Sequence, residues 1–258
     1  MKRRTLRLTA FLLTVCMSSN LVADGGSGTS GPTVSPVQSP ARPLDLPVHG
    51  PVYSFASDAR SADFYTNVMP EFLTIINDTL SESVVFEGVQ GFKLDASKLL
   101  LRTASDAPIR IYFLFEGAGY HNTLGYTWTP AGEPEKGAKS VLFPDASIKH
   151  SGNRTTWEPL KVGDFVEIGT GDNGWQLDFF LISNAVNGGT TPLWADETLN
   201  SDGLQHMVAF MIPDSRFILL GFEDIVGGGD LDYNDALFVV DIGQVNAENL
   251  LDEASLPH

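Results

Sequence analysis

Between Ser83 and Gly243 the sequence is a series of short apolar runs, rich in β-branched and aromatic residues and separated by Gly, Pro, Asn and Asp. That texture leaves a chain little choice but β-sheet. The runs predicted as strands are Val84–Phe86, Phe92–Leu94, Ile109–Glu116, Leu124–Trp128, Val141–Phe143, Phe165–Ile168, Trp175–Ile182, His206–Ile212, Phe217–Phe222 and Ala236–Ile242. No helical pattern intervenes, so the strands must pair antiparallel, and a two-sheet β-sandwich is the expected way to bury both inner faces. The fold class read from the sequence is therefore mainly β, an antiparallel β-sandwich with a short N-terminal helical segment.

Five segments are expected. Residues 1–23 have the parts of a secretion signal: Lys2, Arg3, Arg4 and Arg7, an apolar run from Leu8 to Met17, and small residues before a cleavage point after Ala23. The apolar run is too short for a spanning helix, so no membrane span is expected after cleavage. Residues 24–52, rich in Gly, Ser, Thr and Pro, read as a flexible linker. Residues 53–83 read as helical and packed on the sandwich, because Phe64, Val68, Phe72, Ile76 and Leu80 recur every four residues. Ser61 and Asp63 are the candidate caps there, and Pro70 divides the pattern into two short helices. The sandwich occupies 84–243, and 244–258 reads as an acidic tail.

The single cysteine, Cys16, falls in the signal, so neither disulfides nor thiol chemistry is expected of the mature chain. Cleavage would also remove four of the 16 basic residues and none of the 32 acidic ones, leaving 12 against 32 and a net charge of −20. Such a surface repels phosphate backbones and anionic lipid, which argues against nucleic acid or membrane as a partner, and it attracts cations.

Chemistry concentrates between the last two predicted strands, in the stretch Gly221–Asp235, GFEDIVGGGDLDYND. Glu223, Asp224, Asp230, Asp232 and Asp235 supply five carboxylates and Asn234 an amide within thirteen residues. Calcium takes six to eight oxygen ligands, and a loop alternating oxygen-bearing side chains lets them converge, with Gly227, Gly228 and Gly229 free to wrap the backbone. Asp230-x-Asp232-x-Asn234 matches the first half of an EF-hand loop, but the match ends there. Asp235 stands where that loop needs Gly, and Asp241 would lie about 20 Å along a strand from Asp235. The missing ligands must come from Glu223, Asp224 or another loop. Magnesium, zinc and copper suit these ligands less well.

At these residues the sequence resembles an exported bacterial family known as domain of unknown function 4114, whose signature is a GFED, Gly-rich, D-x-D-[YF]-N-D loop. Ile111–Tyr120 with Asn122, Leu124 and Gly125, Leu177–Leu181, and Gly203–His206 look like further recurring segments of that family. The resemblance spans roughly Val84 to Gly243 and implies a β-sandwich with a calcium-dependent or adhesive surface role, without an established activity. Related architectures often end in a membrane-sorting helix with a Pro-Glu-Pro motif, a pattern not seen before Pro257-His258, so sorting by that route is not expected. Glu116 and Asn122, in the Gly-rich turn after a strong strand, are candidate extra ligands. Asp178, inside the apolar run Leu177–Ile182, is expected to meet a cation or a donor, since an unpaired carboxylate there would be costly.

The function expected is an exported calcium-binding module, secreted, extracellular or periplasmic, with a structural, adhesive or surface-binding role toward polysaccharide or protein. The alternative is a calcium-dependent carbohydrate-binding module using Trp128, Trp157, Trp175 or Trp194. A secreted hydrolase is disfavoured, because carboxylates that hold calcium stay ionised and make poor general acids, and no G-x-S-x-G elbow is present. His121 and His206 read as turn or surface residues, and no catalytic residue is assigned.

Overall fold

A computed structural model describes residues 31–80, 93–96, 99–101, 105–130, 132–133, 135–172, 174–211 and 215–254. The signal, residues 24–30 of the linker and the strand expected at Val84–Phe86 lie outside them. Among the described residues there are eleven strands: β1 Lys93–Leu94, β2 Leu100–Leu101, β3 Arg110–Glu116, β4 Thr123–Pro130, β5 Lys139–Phe143, β6 Phe165–Glu167, β7 Trp175–Ile182, β8 Pro192–Trp194, β9 Met207–Met211, β10 Phe217–Phe222 and β11 Ala236–Asp241. They form two antiparallel sheets, β1-β9-β10-β11-β3-β6 and β2-β7-β4-β5, with β8 pairing on β7. No described helix is long and apolar enough to cross a membrane.

Side-chain alternation sorts the strands into three layers. Ile218, Leu220 and Phe222 of β10, Phe238 and Val240 of β11, and Ile111 and Phe113 of β3 face Leu124 and Tyr126 of β4 and Leu177, Phe179 and Leu181 of β7 across the sandwich. The alternate residues of the first sheet, among them Tyr112, Leu114, Phe217, Leu219, Leu237 and Val239, are equally apolar and lie under the helical segment. A sheet buried on both faces explains why β10 and β11 read as unbroken apolar runs.

The helical cover comprises α1 Ala59–Asp63, a five-residue π turn Phe64–Val68, and α2 Met69–Thr79. Phe64, Phe72, Ile76 and Leu80 are buried against the sheet, and the Phe64 ring stacks on Tyr112 with centroids 3.8 Å apart. The two predicted helices are joined rather than separate. Pro70 sits in the first turn of α2, where its missing N–H costs nothing, and the wide π turn before it relieves the clash its ring would make with an earlier carbonyl. Neither Ser61 nor Asp63 is the cap. Asp58 is, accepting from the Ser61 N–H, while the Ser61 hydroxyl pairs back with the Asp58 N–H in a capping box.

Residues 31–52 correct the expectation of a flexible linker. Pro47 O accepts from the Val141 N–H at 2.8 Å and the His49 N–H donates to Val141 O, which covers the outer edge of β5. Farther on, Tyr53 exchanges backbone hydrogen bonds with Phe165 along the outer edge of β6. Residues 47–49 thus close the exposed edge of β5 and Tyr53, just beyond the expected linker, that of β6, and Leu46 packs on the outer face near Phe180 and Trp194. A Pro-rich extended strip looks the same in sequence whether it is free or laid along a sheet, because only the partner strand's unpaired groups decide. The acidic tail is likewise ordered over α3 Gln244–Ala254, where Ala247 and Leu250 are buried and the Asn246 amide reaches Ser105 Oγ and Ile242 O.

A network of charges fixes the helical layer to the sheet. Arg110 of β3 grips Asp58 with two hydrogen bonds of 3.0 and 2.6 Å and also reaches Glu167 of β6, its guanidinium lying over the Phe165 ring. Asp241, at the end of β11, binds Arg60 and Arg216. Burial alone would raise the Asp58 carboxyl, but Arg110 and the Ser61 amide and hydroxyl outweigh it and hold the group at about 2. Its folded value lies below its unfolded one, so its contribution is complete above pH 4 or so and disappears as the pH falls toward 2. Asp58→Ala should cost about 2 kcal/mol near neutral pH in urea unfolding, from the lost cap and the weakened hold on Arg110. The gap between variant and parent should close as the titration is repeated down that pH window.

Candidate metal centre

The loop Glu223–Asp235 joins β10 to β11 at the end of the sandwich away from Asp241, which pairs with Phe217 at the other end of the hairpin. Asp241 is therefore no part of the site, as the strand length requires. The stem is closed by the Asp224 N–H donating to Asp235 Oδ2 at 2.9 Å and by the Asp235 N–H donating to Phe222 O. Beyond the stem the chain is left-handed at Gly227, Gly228, Gly229, Leu231 and Tyr233. The last two alternate with Asp230, Asp232 and Asn234, and neither is a residue that favours this conformation. Packing over-determines it: Leu231 sits against the apolar layer under the helices, and the Tyr233 hydroxyl donates to Gln205 O.

This curl gathers three of the nine candidate residues. One carboxylate oxygen from each of Glu223, Asp230 and Asp232 lies within 4.8 Å of the others. Glu223 and Asp232 are buried and Asp230 is exposed, so the cluster opens to solvent on one side. Glu223 Oε1 accepts the Tyr233 N–H at 2.9 Å, while Oε2 is buried with no hydrogen-bond partner. Gly229 passes so close that a Cβ on it would lie 2.5 Å from Oε2. Burial raises the Glu223 carboxyl above its ordinary range, and the negative charges of Asp232 and Asp230 add to the effect.

The other six do different work. Asp224 is buried, with its carboxylate accepting from Asn122 Nδ2 at 2.7 Å and its carbonyl from Ser183 Oγ. Asp224 and Asp235 form a coupled pair, both raised first by burial. Asn122 is a strut between layers: its Oδ1 accepts the Asn184 N–H while its amide holds Asp224. Asn234 donates to Leu80 O, tying the loop to the end of α2. Glu116 lies across from Ala236 on β3, its carboxyl pushed up to about 7 by burial and by nearby Asp145, Asp224 and Glu158. Asp178 belongs elsewhere, on the outer face of the other sheet, where Lys136 and Gln176 donate to it.

Two supports carried no clear signal in the sequence. His206, read as a turn or surface residue, is fully buried, with Nδ1 at 3.3 Å from Glu223 O and Nε2 at 2.9 Å from Asp202 Oδ2. Asp202 also accepts the Gly227 N–H at 2.6 Å, so one carboxylate ties the histidine to the Gly-rich part of the loop. The Gly203–His206 segment was visible only as part of the family resemblance. A buried imidazole with a carboxylate four residues earlier has no pattern that separates it from a surface pair.

Residues 163–243 match the family described as domain of unknown function (DUF4114). No curated protein and no solved structure matches the chain. The matched stretch runs from the turn before β6 to the end of β11 and contains the whole acidic loop, whereas the segment around Ile111–Gly125 lies outside it. Over residues 163–243, under half of its length, the chain is thus similar to the domain of unknown function 4114 family.

Proposed function

We propose that this protein is an exported calcium-binding β-sandwich module with a structural, adhesive or surface-binding role. The observation that carries the reading is Glu223 Oε2, a buried carboxylate oxygen with no hydrogen-bond partner beside two further carboxylates. An oxygen so placed is costly without a cation. The residues fit calcium. Two oxygens on opposite sides of one ion at about 2.4 Å are about 4.8 Å apart, the three carboxylate oxygens all lie within 4.8 Å of one another, and the solvent-facing side leaves room for waters. When bound, the ion would supply charge neutralisation and cross-link the two ends of the loop. The basic and apolar start of the sequence supports export, where such an ion stands in for the disulfides the chain does not form.

A reading without catalysis is supported by a place where Ser, His and Asp converge. Ser147 Oγ and both Asp145 oxygens approach the same nitrogen, His121 Nδ1, at 2.7 and 3.3 Å, so the imidazole has no geometry to pass a proton between them. A second reading, calcium-dependent sugar binding, is favoured by Trp157, half exposed and resting on the His121 ring one residue from Asn122. A glycan array read with calcium and with chelator tests it, and binding indifferent to calcium would separate any sugar site from the loop.

Calorimetric titration with calcium should show saturable binding, and chelator should lower the Tm of the parent. Glu223→Gln should weaken binding by about tenfold or more while raising the Tm of the chelated protein, because an uncompensated buried charge is removed. A Tm unmoved by chelator in the parent would end the calcium reading. Asp178→Asn and Glu116→Gln should leave calcium affinity within about twofold of the parent, since neither belongs to the carboxylate cluster.

A further inference from the structure

At the other end of the sandwich from the acidic loop lies a cleft of about 200 Å³ lined by Trp128, Ile168, Thr170, Asp172 and Trp175 together with Gly169 and Gly171. Trp128 pairs with Leu177 and Trp175 with Pro130, so both indoles stand on the inner face of the second sheet, where β4 ends and β7 begins. Seven residue steps along β7 lead from Trp175 to Ile182, about 23 Å of strand, so the cleft and the calcium loop are separate sites. Its floor is continuous with the inter-sheet core, against which Trp128 packs.

The rim is held in place by backbone hydrogen bonds. The Ile109 N–H donates to Gly169 O at 2.6 Å, the Ser105 N–H to Thr170 O at 2.9 Å, and the Trp175 N–H to Asp172 O at 3.2 Å. Gly169 and Gly171 take left-handed conformations that let this turn fold over the cleft mouth. The cleft is therefore formed before any ligand arrives.

We propose that this cleft binds a small organic cation, of the quaternary or methylated ammonium class. Two indoles offer negative π faces, and among the described residues of the lining the one ionisable side chain is the carboxylate of Asp172 and none is basic. The whole chain carries a formal charge of −16, so its long-range field also draws cations. The volume is below the roughly 300–1,000 Å³ usual for drug-sized ligands, which suits a compact headgroup. A sugar needs several directed hydrogen bonds, and among the described lining side chains only Thr170 and Asp172 can accept one, beside the N–H donors of the two indoles.

The test is tryptophan fluorescence of the full chain titrated with choline chloride, against sodium chloride at equal ionic strength, its neutral isostere 3,3-dimethylbutan-1-ol, and methyl β-glucoside. Choline should give a saturable change and the neutral isostere a much weaker one. Asp172→Asn, at an exposed position that leaves folding intact, should weaken choline binding about fivefold. Trp175→Leu should abolish it. Glu223→Gln should leave it unchanged, so loss of the calcium reading and loss of this one are told apart. Three outcomes would overturn the proposal: no saturable response to choline, a response undiminished by Asp172→Asn, or saturation by the glucoside in place of choline.

Discussion

The first sheet is buried on both faces, and most of the molecule follows from that. Strands β10, β11 and β3 carry apolar side chains at consecutive positions, so one face must meet the second sheet and the other must be covered by something else. The helical segment is that cover: each turn from Phe64 to Leu80 places a side chain on the outer face, and at about 25 cal/mol per Å² of apolar surface the drive to bury it is large. The charges at the far end orient the cover without themselves driving it. Arg110 reaches out of the sheet to the cap of α1, and Asp241 to Arg60. The other end of the helical layer is fixed at the acidic loop, where Asn234 donates to Leu80 O. Helix, sheet and loop are thus one mechanical unit.

That coupling divides the carboxylates of the loop into two kinds. Asp224 and Asp235 sit at the stem and have donors: a side-chain amide for the first and a backbone N–H for the second. Their negative charge is partly answered by the protein itself. Glu223 and Asp232 also accept backbone N–H groups, from Tyr233 and Asn234, but with Asp230 they crowd three carboxylates together, and one oxygen of Glu223 is left without a donor inside the fold. A cation bound as proposed would contribute most at that unpartnered oxygen, within the second group. Neutralising Glu223 would also act on Tyr233 and Leu231, whose left-handed backbones curl the loop around that carboxylate.

Periodicity and composition were enough for the strands with apolar residues on both faces: β7 and β10 fall at Trp175–Ile182 and Phe217–Phe222, the bounds their sequences predict. Two- and three-residue strands such as β2 and β8 were not readable, because their place is set by the edge they find rather than by their own pattern. The same holds for residues 31–53, whose order comes from the unpaired groups of β5 and β6. In the acidic loop the oxygens were evident but not their assignments. Whether a carboxylate is a strut or is left free depends on which N–H groups reach it, and those come from Asn122 and from the left-handed Tyr233, neither marked by composition.

The span of the family match bears on where the loop gets its support. Residues 163–243 include β6 to β11 but neither β3 nor β4, and β3 lies between β11 and β6 while β4 lies between β7 and β5. The matched stretch therefore leaves a gap in the first sheet and contributes only β7 and β8 to the second. Its loop also leans on residues beyond the match, since Gly117 N–H donates to Asp235 O and Asn122 fixes Asp224. The carboxylate cluster itself needs none of these directly: Glu223, Asp230 and Asp232, the Tyr233 N–H and the His206 support all lie within 163–243. The carboxylate cluster is thus local to the matched segment, while the part that sets the loop's angle to the sandwich is supplied by the strand and turn between Arg110 and Asn122.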